Sequence, residues 1–271
     1  MRLSFSTGTL YHFPLRTTFA LAHEAGFEGV ELVLGPEVLL RGASYVRRLG
    51  REYSLDVLSV HPPVIPYPGH NNVVRILPRL ISLAEQVHCD LVVLHPPKTS
   101  KTEDAVWKEF VQALLHERST TTVRVSLENA SIFRDSNIHY ILHDIRRLLA
   151  FADCHDLPLT FDTAHVGSSG RDLLEAYALL ARRVVNVHFS DFLKRRIVPD
   201  WPPLQTFFCH HQMPGEGVLP LADFLRTLLA SDYCGVFTLE LSPVAVKAWS
   251  PSLVRERLVT AVGYVRQLLV C

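Results

Sequence analysis

Short runs of Val, Leu, Ile and Phe recur along the whole chain, separated by longer segments whose apolar residues fall three and four apart. The short runs predict strands at 3–8 (LSFSTG), 29–34 (GVELVL), 55–61, 91–95, 123–128, 159–162, 184–189 and 236–241. The longer segments predict helices at 15–26, 41–54, 72–88, 104–118, 137–153, 171–181, 220–230 and 252–269, the first ended by Gly26. The strand runs read as nearly continuous rather than alternating, as strands buried on both faces of a parallel sheet do. Eight strand–helix units in 271 residues predict an α/β chain folded as one (β/α)8 TIM barrel over 1–271. An open doubly wound sheet rarely places functional residues on so many strands.

Six of the runs end in a residue that binds metals: LDVLSVHPP (His61), DLVVLHPP (His95), VRVSLEN (Glu128), LTFDTAH (Asp162, His165), VVNVHFSD (His188) and VFTLELS (Glu240). One strand-end His or Glu is more often a cap or a satisfied polar group. Six together are another matter, because a parallel barrel gathers every strand tip at its C-terminal face. These side chains are therefore expected to share a cavity there and to form a metal site. Imidazole nitrogen with carboxylate oxygen suits Mn²⁺, Zn²⁺, Fe²⁺ or Mg²⁺.

The connection at 190–219 is long where such loops are usually a few residues. It contains Trp201, Phe207, Phe208, His210 and His211, costly side chains to leave in water, and is expected to fold over the active site. Lys plus Arg equals Asp plus Glu at 27 each, so no basic excess advertises a nucleic-acid partner. Five scattered cysteines without CxxC spacing read as reduced thiols. No stretch of about 18 apolar residues is present to span a bilayer, and the start MRLSFSTGTLYHF lacks a signal-peptide run. The expectation is a cytoplasmic enzyme with no membrane partner.

Taken in order, GFEGVEL, VHPP, VVLHPP, LENA, FDTAHVGSSGRD, NVHFSD, HHQMPGEG and FTLEL resemble the xylose-isomerase-like barrel superfamily, which also contains endonuclease IV. The resemblance spans essentially the whole chain. It implies Glu128, Asp162, His188 and Glu240 as the shared metal site, with His165 as a pocket residue or further ligand. The sugar isomerases and epimerases of this superfamily look like one-metal enzymes using that set. Endonuclease IV uses three zinc ions and needs histidines matching His61, His95, His165 and His211, all present here. Its aspartate two residues before the loop histidine is replaced by Cys209, which can bind zinc as thiolate. The opening STGTLYHFPL does not resemble that enzyme's glycine-rich start, and its DNA-intercalating loops have no clear counterpart.

The expected activity is thus isomerisation or epimerisation of a small sugar or sugar derivative, dependent on a divalent metal and passing through an enediolate. Zinc or manganese is expected, with one to three ions. Glu128 and Glu240 would remove and return the proton, with His188 and Asp162 holding the metal. Asp191 would orient a ligand from behind, and His165, His211, Trp201 and Lys98 would contact substrate, Lys98 by meeting a phosphate. His12 and Phe207 are candidate pocket walls. The alternative is an endonuclease IV-like multi-zinc phosphodiesterase acting at abasic sites in DNA. It needs a basic surface, for which Arg47, Arg48, Arg51, Lys194, Arg195 and Arg196 are the candidates. A third class is a barrel that keeps its ligands but serves as a non-catalytic partner or sensor. Dimers and tetramers are common among barrels of this resemblance, making a homo-oligomer the candidate state.

Overall fold

The computed structural model of the chain describes residues 1–65, 72–132, 139–195, 197–199 and 201–269. The strands β1 (Arg2–Ser6), β2 (Gly29–Val33), β3 (Asp56–His61), β4 (Leu91–Leu94), β5 (Arg124–Glu128), β6 (Leu159–Asp162), β7 (Val184–Phe189) and β8 (Val236–Leu239) pair in parallel in sequence order. β8 pairs in turn with β1, so the sheet closes into the expected barrel. Around it run α1 (Leu15–Ala25), α2 (Pro36–Tyr53), α3 (Val73–Gln86), α4 (Ala105–Thr120) and α5 (Ile145–Cys154). They are followed by α6 (Thr163–Ser168), α7 (Leu173–Leu180), α8 (Pro202–Phe208), α9 (Leu221–Ala230) and α10 (Pro251–Leu269).

The strands alternate after all, and the alternation builds the site. Phe5, Leu127, Phe161, Phe189 and Leu239 belong to the apolar layer shared with the helices. The opposite faces carry small polar residues with no exposed surface, among them Ser59, Ser126, Thr160, Asn186 and Thr238. Two residues further along the same face come His61, Glu128, Asp162, His188 and Glu240, because strand side chains repeat every second residue. The small layer bonds across strands, as in Ser126 Oγ to Thr160 Oγ1 at 2.7 Å and Thr238 Oγ1 to Asn186 Oδ1 at 3.2 Å. Hydroxyls that bond to one another lower the cost of burying a polar layer beneath the strand tips.

Several element boundaries differ from expectation for local reasons. α2 begins at Pro36, whose fixed φ suits a first helical turn, and breaks at Gly42 (φ 71°) before resuming. The sequence pattern registers only the part beyond that break. The helix expected at 137–153 is shorter: a single tight turn at Ile141–His143 precedes α5, whose start is capped by Asp144 accepting from Arg146 and Arg147 N–H. Residues 137 and 138 of that expectation lie outside the described residues. Two short helices were not anticipated, α6 directly after β6 and α8 within the long loop. Among the described residues no helix is long and apolar enough to cross a membrane.

At the N-terminal ends of the strands lies a concavity of about 1450 Å³, lined by residues at the strand starts including Arg2, Asp56, Arg124 and Val236. Arg2 pairs with Asp56 at 2.6 Å and Arg124 with Asp90 at 2.9 Å. All four side chains are roughly half exposed or more, so these pairs close the barrel floor and add little stability.

Candidate metal centre

At the opposite end the strand tips converge. Glu128 ends β5, Asp162 ends β6, His188 lies within β7, and Glu240 follows β8 by one residue. Each contributes a ligand atom to a group whose members all lie within 4.8 Å of one another. His188 Nδ1 stands 2.8 Å from Glu240 Oε2, 3.5 Å from Glu128 Oε1 and 3.9 Å from Asp162 Oδ2. Two more groups adjoin it, sharing its carboxylates: His61, His95 and Glu128 on one side, and Asp162, His165 and His211 on the other.

Second contacts fix how the imidazoles face. His188 Nε2–H donates to Glu31 Oε2 at 2.9 Å, so Nδ1 is the ring nitrogen that faces the carboxylates. Glu31 is held in turn by Ser59 Oγ at 3.0 Å, and neither Glu31 nor His188 has exposed surface. His61 Nδ1–H donates to the Pro62 carbonyl at 2.7 Å, which aims Nε2 at His95 Nε2, 2.9 Å away. His165 Nδ1–H lies against the Asn129 carbonyl at 2.8 Å and Glu128 Oε1 at 3.0 Å. Asp162 Oδ1 accepts the His165 backbone N–H at 2.6 Å as the cap of α6, leaving Oδ2 for the cluster. The Asn129 amide clips the Asp162 backbone from both sides, at 2.7 and 3.0 Å.

Five donor atoms of the central group, both oxygens of Glu128, Asp162 Oδ2, His188 Nδ1 and Glu240 Oε2, are buried and make no hydrogen bond of good geometry. Burying several carboxylate oxygens together without a partner is expensive. A divalent cation removes that expense, and mixed oxygen–nitrogen donors suit Zn²⁺, Mn²⁺ or Fe²⁺. The residues therefore fit a metal ion.

The electrostatics agree. Burial alone would push Glu128 and Glu240 up, yet both stay well below the carboxylate range, Glu128 because of His95 and His188, Glu240 because of His188 and His211. Asp162 is raised by burial against the opposing pull of His165 and His211. Burial would lower His188, but Glu31, Glu240 and Glu128 hold it well above its usual value. His165 is likewise raised to about 10, burial being outweighed by Asp162 and Glu128. Opposite charges on imidazole and carboxylate thus face one another at these tips.

The remaining expected residues fall in different places. His211 joins the third group from a left-handed backbone conformation (φ 52°), with Ser190 Oγ 3.3 Å from its Nδ1. Cys209 does not: its buried thiol donates to the Arg195 carbonyl and to Gln205 Oε1, both at 3.4 Å, so it faces its own loop. Asp191 is not behind a ligand either. Its Oδ1 accepts from Phe192 and Leu219 N–H and its Oδ2 from Gly215 and Gly217 N–H, at 2.8–3.0 Å. It shapes the loop instead, and Gly217 is needed there because a Cβ would stand 2.3 Å from Asp191 Oδ1. Trp201 is 58% exposed, and Lys98 is exposed beside His143. His12 is exposed and anchored to the Ala248 carbonyl, and Phe207 is half-buried beside Tyr11. The expected basic surface is not continuous. Arg47 and Arg51 line the concavity at the far end of the barrel, Arg48 lies over Tyr45, Arg195 is bonded to the Phe208 carbonyl, and Arg196 lies outside the described residues.

Sequence reading gave no part in the site to Glu31, Asn129 or His143, and named His210 only as part of the loop over it. Glu31 had a usable signal, a carboxylate inside the otherwise apolar run GVELV. His143 and His210 sit at the site's edge and are held neutral by burial first. Lys98, His165 and His95 add to this for His143, which falls to about 4, and His211 and His165 for His210.

A family model described as xylose isomerase-like TIM barrel matches residues 19–257. An uncharacterised protein of Mycobacterium tuberculosis is 27% identical over 271 residues, covering 92% of this chain and 91% of its own. Among solved structures, a D-tagatose 3-epimerase-like protein superposes with a TM-score of 0.72 at 19% identity, over 99% of this chain and 97% of that one. The 3-keto-D-glucoside 4-epimerase YcjR of E. coli gives 0.71 at 16% identity, over 98% and 99%. At such identities the structural likeness speaks for the fold. The span of the family match, with the closed barrel and the tip cluster, makes this chain a member of the xylose isomerase-like TIM barrel family.

Proposed function

We propose that the protein is a metal-dependent isomerase or epimerase acting on a small sugar or sugar derivative. The observation that carries this reading is the convergence at the barrel mouth of buried donor atoms of Glu128, Asp162, His188 and Glu240 that make no hydrogen bond of good geometry. Asp162 and His188, with the two glutamates, hold the ion. A divalent cation bound there supplies Lewis-acid charge to the carbonyl and hydroxyl oxygens of the substrate. One of Glu128 and Glu240 takes the proton from the carbon beside the carbonyl, and the C–H electron pair moves toward the carbonyl oxygen. The other glutamate relays a proton taken from solvent, to the opposite face of that carbon for epimerisation or to its neighbour for isomerisation, and the first releases its proton to solvent. Glu240 is the more accessible of the two, its side chain 14% exposed against 2% for Glu128. His165 and His211, whose rings lie 5.4 Å apart, would hydrogen-bond substrate oxygens from the β6 and long-loop side. The sugar epimerases among the fold neighbours support this class of chemistry.

A second reading, multi-zinc phosphodiester hydrolysis at abasic sites, is favoured by one observation. The three ligand groups share Glu128 and Asp162, an arrangement suited to more than one ion. The separation of Arg47 and Arg51 from the mouth counts against a duplex substrate. Two measurements test the choice: metal content per chain, and solvent-deuterium incorporation into a panel of ketoses and keto-sugars. Metal-dependent exchange supports the first reading. Its absence, together with cleavage of an abasic-site duplex, replaces it with the second.

A further inference from the structure

A second cavity, about 300 Å³, opens where the chain leaves β1, β2 and β3. Its walls are mainly apolar, among them Leu10, Phe13, Leu15, Val33, Val38 and Val64. Three of its polar side chains are already engaged. Thr7 Oγ1 accepts the Val33 N–H at 2.8 Å, Glu37 Oε2 accepts the Leu15 N–H at 2.7 Å, and Thr18 Oγ1 donates to the Pro14 carbonyl at 3.4 Å. Such walls offer water little and reward an apolar occupant. Gly8 keeps the cavity open, since a Cβ there would stand 3.0 Å from Val33 Cγ2 and 3.1 Å from Val64 Cγ1.

The cavity adjoins the metal centre through shared backbone. Val33 is the register partner of His61 across β2 and β3. Pro62, whose carbonyl holds His61 Nδ1–H, is followed by Pro63, which lines the cavity. Tyr11, Val64 and Ile65, also in the lining, are 47%, 40% and 40% exposed, so apolar side chains reach the solvent here. A molecule with its polar end on the ligand groups thus has an apolar receptacle one strand away. Pockets of this size accept a phenyl ring.

We propose that this cavity is a subsite for an apolar, phenyl-sized substituent of the substrate, making the substrate a sugar derivative that carries an aryl or short alkyl group. The proposal rests on the metal-centred reading of the site, because that is where the reacting sugar is placed.

The probe is 4-fluorobenzyl alcohol, followed by fluorine NMR with the full-length protein loaded with Zn²⁺ or Mn²⁺. Saturable binding is expected, weakened about tenfold by Val38→Phe, which fills the cavity. Should Val38→Phe not fold, Val64→Trp at the half-exposed rim applies the same block. In the Mn²⁺ protein the fluorine line of the bound probe should broaden beyond its width in the Zn²⁺ protein, as expected of a ring beside the ion. Non-saturable binding, equal affinity in the blocked variant, or unbroadened signal in protein shown by elemental analysis to hold Mn²⁺ each overturns the proposal. Failure of metal loading counts against the proposed function instead, and the blocking variants still decide the cavity.

Discussion

Glu31 accepts the Nε2–H of His188 at 2.9 Å across the barrel interior, and both residues are wholly buried. The contact joins the second strand to the seventh and fixes which imidazole nitrogen faces the carboxylates. Carboxylates that hold a ligand histidine this way usually matter almost as much as the ligand. Glu31→Ala should weaken metal binding about 10–100-fold, with Glu31→Gln milder because its amide oxygen still accepts the hydrogen bond. Competition against a fluorescent chelator measures the difference, and unchanged affinity in Glu31→Ala would remove the residue from the site.

Metal binding should also register as stability. An ion that binds only the folded chain adds about 2.7 kcal/mol at a hundredfold excess over its Kd. For a chain of this size that corresponds to a rise in Tm of roughly 5–10 °C, reversed by a chelator. Replacing Asp162 and His188 together with Ala should abolish the rise. A persistent rise would locate the ion elsewhere.

Glu240→Gln should stop hydrogen exchange between substrate carbon and solvent while the barrel still folds, since Glu240 lies past the end of β8 and outside the apolar layer. Deuterium incorporation followed by NMR, beside circular dichroism, checks both halves. Retained exchange would remove Glu240 from the proton transfer.

Asp191 is expected to act on the loop and not on the ion. Its four backbone N–H partners lose their acceptor in Asp191→Ala, at a cost on the order of 2–4 kcal/mol. Lower Tm and faster amide exchange across 212–219 should follow, at a metal affinity that changes far less than in Glu31→Ala. Hydrogen-exchange mass spectrometry reads the loop directly.

Cys89 gives a pH dependence remote from the site. Burial pushes its thiol up from 9.0 to about 12 in the folded chain. The unfolded chain releases this proton near pH 9 while the folded chain keeps it. The contribution to stability is thus intact below about 9 and declines as pH rises toward 12. Denaturant titrations should show that decline in the wild type and a smaller one in Cys89→Val. In the native protein a thiol reagent should modify the exposed Cys154 and Cys234 ahead of the buried Cys89 and Cys209.

Much of the centre was legible because its determinants are local. A strand run announces itself in a few residues, and the residue at its tip is read directly, as with VSLE ending in Glu128 or LTFD in Asp162. Parallel pairing then obliges all tips to face one end. The part played by Glu31 was not legible, since its partner His188 is 157 residues away and only closure and register bring them together.

The same division holds for the whole chain. Alternation of apolar runs and helical segments, with the identity of the tip residues, determined the barrel and which acidic and imidazole side chains meet at its mouth. Tertiary structure alone decided that Cys209 turns into its loop, that Asp191 serves backbone N–H groups, and that Arg47 and Arg51 end up at the far mouth. Those outcomes depend on where a closed sheet and a long loop carry residues through space, and no pattern of neighbours along the chain encodes that.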